Sequence, residues 1–333
     1  MGLLVASLPA IGKETLRVLT WPGYADRDLV QAFEQRHNVR VEVTLISTDD
    51  VLWQKLNANN AADFDVFAAN TAELKRYIDR GISVPLDLAN IPNVRNQRPR
   101  FRNLVAIPGI SRAGRVHAIP YTYSEMGLIY NRKLVKEPPT SMAAMWDPRY
   151  RGRVLAYDGG AHNFTLAALL LGSKTPFQLS EGDYKRAVDK LIGLRRNVLT
   201  FYSQPDEAVE LFRDNSVALV FANYGSQQVK QLQQAGADIG YILPEEGALA
   251  WLDCWAVTRG ARNQRLAEAW INYTLEKAVS TALSERQGLA NTIQANPSEP
   301  QSSKIIWLEP VESALRRSDL WNRVVSGDRP DRF

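Results

Sequence analysis

The sequence predicts an α/β protein built on mostly parallel sheet, and three observations carry that prediction. Strand and helix signals alternate from Leu16 to Gly81, and the best strand has a strict period of two. The third is length: 333 residues, 45% of them apolar, exceed the usual range of one domain. Two domains are therefore expected. Leu16, Val18 and Leu19 form a short apolar strand ending at Thr20-Trp21-Pro22-Gly23-Tyr24, a turn by its Pro-Gly pair. Asp26 stands where it can cap a helix with Leu29, Val30 and Phe33 on one face. Val39, Val41, Val43 and Leu45 then alternate with Arg40, Glu42 and Thr44. A second helix through Val51, Leu52 and Leu56, a strand over 64–69, and a helix over 71–80 stopped by Gly81 complete a βαβαβα series. Sheets of this kind gather their ligands at the carboxyl ends of the strands.

Residues 85–118 are rich in Pro, Asn and Arg and predict loops with short elements. Ile119-Pro120-Tyr121-Thr122-Tyr123 leads into Gly127-Leu128-Ile129-Tyr130-Asn131, an apolar run where the chain can cross into a second lobe. Further strands are expected over 154–158, 217–222, 239–243 and 251–257, and helices over 164–171, 206–212, 227–234 and 265–275. No internal repeat or low-complexity segment interrupts the series.

Forty Lys plus Arg against thirty-six Asp plus Glu leave a net charge of +4. The basic residues are scattered, with clusters at 95–102, 149–153 and 195–196 that read as solvated surface, so nucleic acid is not an expected partner. The single cysteine, Cys254, lies in Trp-Leu-Asp-Cys-Trp, where a small buried hydrophobe fits, and one cysteine builds no disulfide framework. No apolar run approaches the roughly 20 residues that span a bilayer. Gly2 to Ala10 is a short apolar stretch closing on small residues, as a secretory signal does. Residues 1–13 are read as a residual signal-like leader of an exported, soluble protein. The absence of an apolar stripe among the helix patterns predicts a monomer.

Catalytic signatures are missing. His37, His117 and His162 lie far apart in sequence and none has a two-histidine helical spacing, so zinc chemistry is not expected. There is no phosphate-cradling glycine loop and no Gly-x-Ser-x-Gly. Asn223-Tyr224-Gly225-Ser226 shares with a nucleophile elbow only its strand, tight turn and helix. Tyr121 and Tyr123 alone approach the paired tyrosines of an iron receptor. The expectation is a binding protein without catalytic residues, metal or cofactor.

What recurs is an aromatic beside a polar or acidic group at the carboxyl end of a strand. Trp21 and Tyr24 follow the first strand, Asn70 and Thr71 the third, and Tyr121 and Tyr123 stand at the crossover. Asp158 ends a second-lobe strand, and Asn223 and Tyr224 end another. Trp251 and Asp253 stand two apart, so an extended strand points both to one face. A desolvated ammonium needs such a wall: a carboxylate to pair with it and aromatic faces to receive its charge, each face contributing about 0.5 to 2 kcal/mol. Tyr130, Trp146, Trp255 and Trp270 are assigned to packing.

Leu-Thr-Trp21-Pro-Gly-Tyr24, Asp63-Phe-Asp65-Val-Phe-Ala, Ala118-Ile-Pro120-Tyr121, Gly127-Leu-Ile-Tyr-Asn131 and Pro244-Glu-Glu-Gly247 with Trp251-Leu-Asp253 follow one another in an order that resembles the spermidine/putrescine-type extracellular solute-binding proteins. The likeness spans about residues 15–295. It implies a two-lobed type II periplasmic binding fold, with mixed sheets flanked by helices and a ligand cleft at the hinge. It also implies a solute, polyamine first, delivered to a cognate ABC permease of the inner membrane. The corresponding boundaries are 14–121 plus 253–298 for lobe I and 122–252 plus 299–333 for lobe II, with the hinge near 121–124 and 250–254. By position, Trp21 and Tyr24 would line the first-lobe wall, Asp253 would hold an amine, Trp251 would stack on the methylene chain, and Asp158 resembles the second-lobe acid. Three departures matter: Ala72 replaces an expected aromatic, Gly159-Gly160-Ala161-His162 replaces an expected acid, and Asn223 replaces a frequent tryptophan. They open the alternative of γ-aminobutyrate or another amino acid in the same fold.

Overall fold

A computed structural model describes residues 13–295 and 304–329. The leader read at 1–13 lies, apart from Lys13, outside the described residues. The strands in chain order are β1 (Thr15–Thr20), β2 (Arg40–Leu45), β3 (Val66–Asn70), β4 (Ser111–Arg112), β5 (Arg115–Val116), β6 (Ala118–Met126) and β7 (Leu128–Asn131). They continue with β8 (Val154–Tyr157), β9 (Val198–Tyr202), β10 (Leu219–Phe221), β11 (Ile239–Ile242), β12 (Ala248–Val257), β13 (Ala290–Asn291) and β14 (Ile305–Trp307).

Two sheets define two lobes. The first runs β13-β6-β12-β3-β1-β2, with β14 paired to β12. The second runs β11-β7-β10-β8-β9, and β4 with β5 forms a small hairpin. The parallel trio β2-β1-β3 is what the alternation at the start of the chain dictates. Its antiparallel neighbours β12 and β6 make the sheet mixed, and in the second sheet β10, β8 and β9 are parallel while β7 is antiparallel. Strands β3, β8, β10 and β12 are buried along their whole length, as strands covered by helices on both faces are.

The chain leaves the first sheet at Gly127, between β6 and β7, and re-enters it at Ala248. The hinge positions expected at 121–124 and 250–254 thus lie inside β6 and β12, which are buried along almost their whole length. Gly127 is required by closeness: a Cβ there would lie 2.4 Å from the Ile242 carbonyl oxygen.

Local chemistry explains most element ends. Gly81, at φ +64°, stops the helix Thr71–Asp79, and Thr48 and Asn70 cap the helices Asp49–Ala58 and Thr71–Asp79 through their side chains. Asp26 precedes the helix Arg27–His37 but its side chain makes no cap bond. It accepts instead from Arg286 at 3.1 Å, because a guanidinium is a stronger donor than a backbone amide. Trp255 and Trp270 are fully buried and meet edge to face, and Cys254 is buried and free. Asp65 of the Asp63-Phe-Asp65 motif is a structural clamp. It accepts from Arg17 Nε at 3.0 Å, Arg17 Nη2 at 2.6 Å and the backbone amides of Arg17 and Arg262. Helix Ala314–Ser326 carries the chain's end back onto helix Gly160–Leu170 of the second lobe. There the fully buried Arg317 pairs with Glu312 at 2.8 Å and donates to Thr165 at 2.7 Å.

Candidate functional site

Where the lobes face each other, the strand ends meet around a narrow cleft. Seven of the residues expected from the sequence line it: Trp21, Tyr24, Asn70, Asn223, Tyr224, Trp251 and Asp253. Each reaches it for a local reason. Trp21 and Tyr24 occupy the turn after β1, closed by Tyr24 N donating to Trp21 O at 3.4 Å. Asn70 ends β3 and caps the next helix. Its Oδ1 accepts from Glu73 N at 3.1 Å, which aims its amide nitrogen at Asp49 Oδ1, 3.2 Å away. Asp253 lies opposite Asn70 in the β12–β3 ladder, and Trp251 shares its face two residues earlier. Asn223 and Tyr224 sit in the turn after β10 that Gly225 completes. With φ +59°, and with Ser124 Oγ 2.1 Å from where a Cβ would stand, that position accommodates only glycine.

Four further residues complete the lining: Asp49, Tyr157, His162 and Gln227. Asp49 opens the helix Asp49–Ala58 behind the cap Thr48, a Thr-Asp-Asp start that reads as helix chemistry alone. His162 stands in the first turn of the helix Gly160–Leu170 and donates from Nδ1 to Asn223 Oδ1 at 2.7 Å, while its Nε2 lies 3.6 Å from Asp49 Oδ2. The available signal was general: these side chains also follow strand ends.

Thr71, Tyr121, Tyr123 and Asp158 do not line the cavity. Thr71 begins the helix behind Asn70. Tyr121 packs edge-on against Tyr24 at 5.6 Å, behind the wall. The Tyr123 ring sits beside Phe101 and Trp307, and its hydroxyl accepts from Arg98 at 3.0 Å. Asp158 accepts from Trp321 Nε1 at 2.7 Å, turned toward the C-terminal helix.

The lobes are held together across the cleft. Tyr157 donates to the Ser47 carbonyl at 2.9 Å, Trp251 Nε1 to the Asn223 carbonyl at 3.0 Å, Gln227 to the Pro22 carbonyl at 3.2 Å and Ser318 to Asp50 at 2.8 Å. Aromatic faces surround the space, with Trp21 and Tyr224 edge to face at 6.3 Å and Tyr157 and Tyr224 at 6.0 Å.

Electrostatically the cavity is acidic. Burial pushes Asp253 up to about 8, against a lowering bond from Tyr24 Oη at 2.6 Å and with the Asp49 charge raising it further. Burial also raises Asp49, opposed by Arg76. His162 is held below its ordinary value by burial. Among the described residues no cation pairs with Asp253. Nor does any group of three or more His, Cys, Asp or Glu side chains among them have the arrangement to hold a metal ion. A carboxylate in this setting is stabilised in its charged form by a cation brought into the cavity.

A family profile described as bacterial extracellular solute-binding protein matches residues 28–306. The chain belongs to that family. Among curated proteins, this family member is 27% identical over 315 residues to a putrescine-binding periplasmic protein of Escherichia coli, covering 88% of this chain and 84% of the other. It is 25% identical to a spermidine/putrescine-binding periplasmic protein of Haemophilus influenzae, covering 89% and 80%. Among solved structures it superposes on a spermidine/putrescine ABC transporter substrate-binding protein of Streptococcus pneumoniae with a TM-score of 0.70, at 22% identity over 93% of this chain and 98% of that one. It superposes on the periplasmic binding protein MotA of A. tumefaciens, in complex with glucopine, with a TM-score of 0.76, at 16% identity over 93% and 99%. The two-lobed solute-binding fold expected from the sequence is thus the fold of this protein, and no helix among the described residues is long and apolar enough to cross a membrane.

Proposed function

We propose that this protein is the substrate-binding component of an ABC importer. It works in the periplasm as a monomer, capturing a small amine-bearing solute, putrescine or spermidine first, by closing its lobes and handing it to a cognate permease. The observation that carries the reading is Asp253, buried in the middle of β12 opposite the end of β3 and beside Asp49 and the rings of Trp21, Tyr24 and Trp251, with no cation to match it among the described residues. An ammonium supplies the missing charge, and aromatic faces stabilise it while excluding water. Closure follows as a population shift, because a ligand touching both lobes binds the closed state better than the open one. The names of the curated relatives support the same ligand class. Asp253, Trp251, Trp21, Tyr24, Asn70, Asn223 and Tyr224 act as binding residues in this reading, and no residue is catalytic. Calorimetric titration with putrescine and spermidine is expected to give saturable heat, and native mass spectrometry a co-purified small amine. An absence of both heat and thermal shift with either amine refutes the reading.

One observation favours a second ligand class. Trp21 lines the cavity, and its indole N–H is buried with no acceptor among the described residues. A ligand with an amine at one end and an oxygen acceptor at the other, such as γ-aminobutyrate, satisfies both needs. Competition between putrescine and γ-aminobutyrate separates the two.

A further inference from the structure

Three cavities meet at one side chain. His162 lines the cleft that holds Asp253. It also lines a small recess bounded by Asp49, Asp50 and Glu73, and another bounded by Asn70, Ala72 and Glu73. The imidazole is only 8% exposed and is fixed on three sides. Asn223 Oδ1 accepts a hydrogen bond from Nδ1, Asp49 stands 3.6 Å from Nε2, and the Tyr157 ring stacks on its face at 5.9 Å with planes 27° apart. The ring comes from the second lobe and the acids from the first, so lobe closure is what brings this partition into place.

The space beyond the ring is chemically suited to a cation. Glu73 Oε2 is met by Arg76 at 2.5 Å and Asp50 accepts from the Ser318 hydroxyl at 2.8 Å. One guanidinium therefore faces the carboxylates of Asp49, Asp50 and Glu73, which leaves the compartment negative whenever they are ionised. It is attractive to a second or third ammonium, and the imidazole, with Asp49 and Tyr157, stands between it and the cleft that holds Asp253.

We propose that His162 sets the length of the ligand. Its imidazole closes the amine cleft against the Asp50–Glu73 compartment, so the protein takes a short mono- or diamine and discriminates against a linear triamine, whose far ammonium needs the space beyond the ring. The proposal rests on the amine reading above and deepens it. It gives a physical role to a residue standing where an acid was expected, and it assigns the selectivity to steric exclusion by a side chain of the second lobe. Truncating the ring joins the three cavities and exposes the outer acids to the ligand.

The test is calorimetric titration of the wild-type protein, His162→Ala and His162→Asn with putrescine and with spermidine, after thermal melting has established that each variant folds. The wild type is expected to favour putrescine over spermidine by about tenfold or more. His162→Ala is expected to move the putrescine-to-spermidine affinity ratio about tenfold toward spermidine. His162→Asn, shorter than the imidazole, shifts the ratio in the same direction and carries the test should the alanine variant unfold. Amine binding by the wild type with a putrescine-to-spermidine ratio unmoved in the folded variants overturns the length proposal and leaves the amine reading standing. Failure of both amines to bind the wild type overturns the two together.

Discussion

The Tyr24 hydroxyl donates a 2.6 Å hydrogen bond to Asp253 Oδ2, joining residues 229 positions apart in the chain. The bond holds the carboxylate at the face where Trp251 and Trp21 enclose the cavity, and it lowers the cost of ionising a buried acid. Asp253→Asn removes the charge and is expected to cut amine affinity by about 100-fold or more, in line with about 2–5 kcal/mol for one member of a buried charged pair. Tyr24→Phe leaves the charge but raises the cost of ionisation, and about tenfold is expected. Titration calorimetry reads both, and a full-affinity Asp253→Asn variant would remove Asp253 from the site.

Protons and ligand compete for Asp253. Its folded-state value of about 8 in the ligand-free protein means that an ammonium binds with release of a proton at neutral pH. Affinity is expected to climb as pH rises toward about 8 and then to level. Titrations in two buffers of different ionisation enthalpy measure the released proton directly, and a binding heat independent of buffer contradicts the coupling.

The same shift acts on stability with the opposite sense to an ordinary acid. The folded value lies above the ordinary 3.8, so between 3.8 and about 8 the folded state holds a proton that the unfolded state has lost. Asp253 therefore contributes stability that is fully present below 3.8 and is lost as pH rises through about 8. In the ligand-free protein, Asp253→Asn is expected to gain in melting temperature relative to wild type as pH is raised across this window.

Asp158 and Asp49 exchange the roles that chain order suggests. Asp158 is engaged by Trp321 outside the cavity, and Asp49 lines it. Asp158→Asn is expected to leave amine affinity within about twofold, whereas Asp49→Asn lowers it about tenfold or more. Paired titrations decide the matter, and a larger loss from Asp158→Asn would reverse the assignment.

Asp65 ties β1 to the loop after β12 through Arg17 and the Arg262 amide. Asp65→Ala strands a buried guanidinium and is expected to destabilise the protein by about 3–5 kcal/mol in denaturant unfolding. Its ligand affinity, measured well below the melting point, is expected to stay unchanged.

Much of this architecture is legible along the chain because it rests on local physics. The alternation of β1, β2 and β3 with helices follows from periods of 2 and 3.6, and Gly81 and Asn70 mark element ends by their own backbone and side-chain chemistry. That Trp21, Asn70 and Asn223 converge is also a local rule, since each follows or ends a strand at the carboxyl side where open α/β sheets form their crevice, whereas Trp251 and Asp253 reach it from the middle of β12 because that strand runs antiparallel past the end of β3. Asp49 and His162 share that placement, but their own sequence context points elsewhere. A Thr-Asp-Asp helix start is satisfied by capping alone, and a lone histidine in an apolar helix reads as core.

The sequence by itself therefore determined the α/β elements and the general face on which a ligand sits, because periodicity, capping and strand-end placement act over a few residues, while its resemblance to a solute-binding family implied the two lobes. Tertiary structure alone decided which acids share the cavity. Asp158 turned to Trp321, Asp49 came within 3.6 Å of His162, and Tyr24 met Asp253 only because β1 and β12 lie in one sheet with the second lobe closed against it. Desolvation, which sets the charge chemistry of this cleft, is a property of what the whole fold excludes from it, and no stretch of chain carries that by itself.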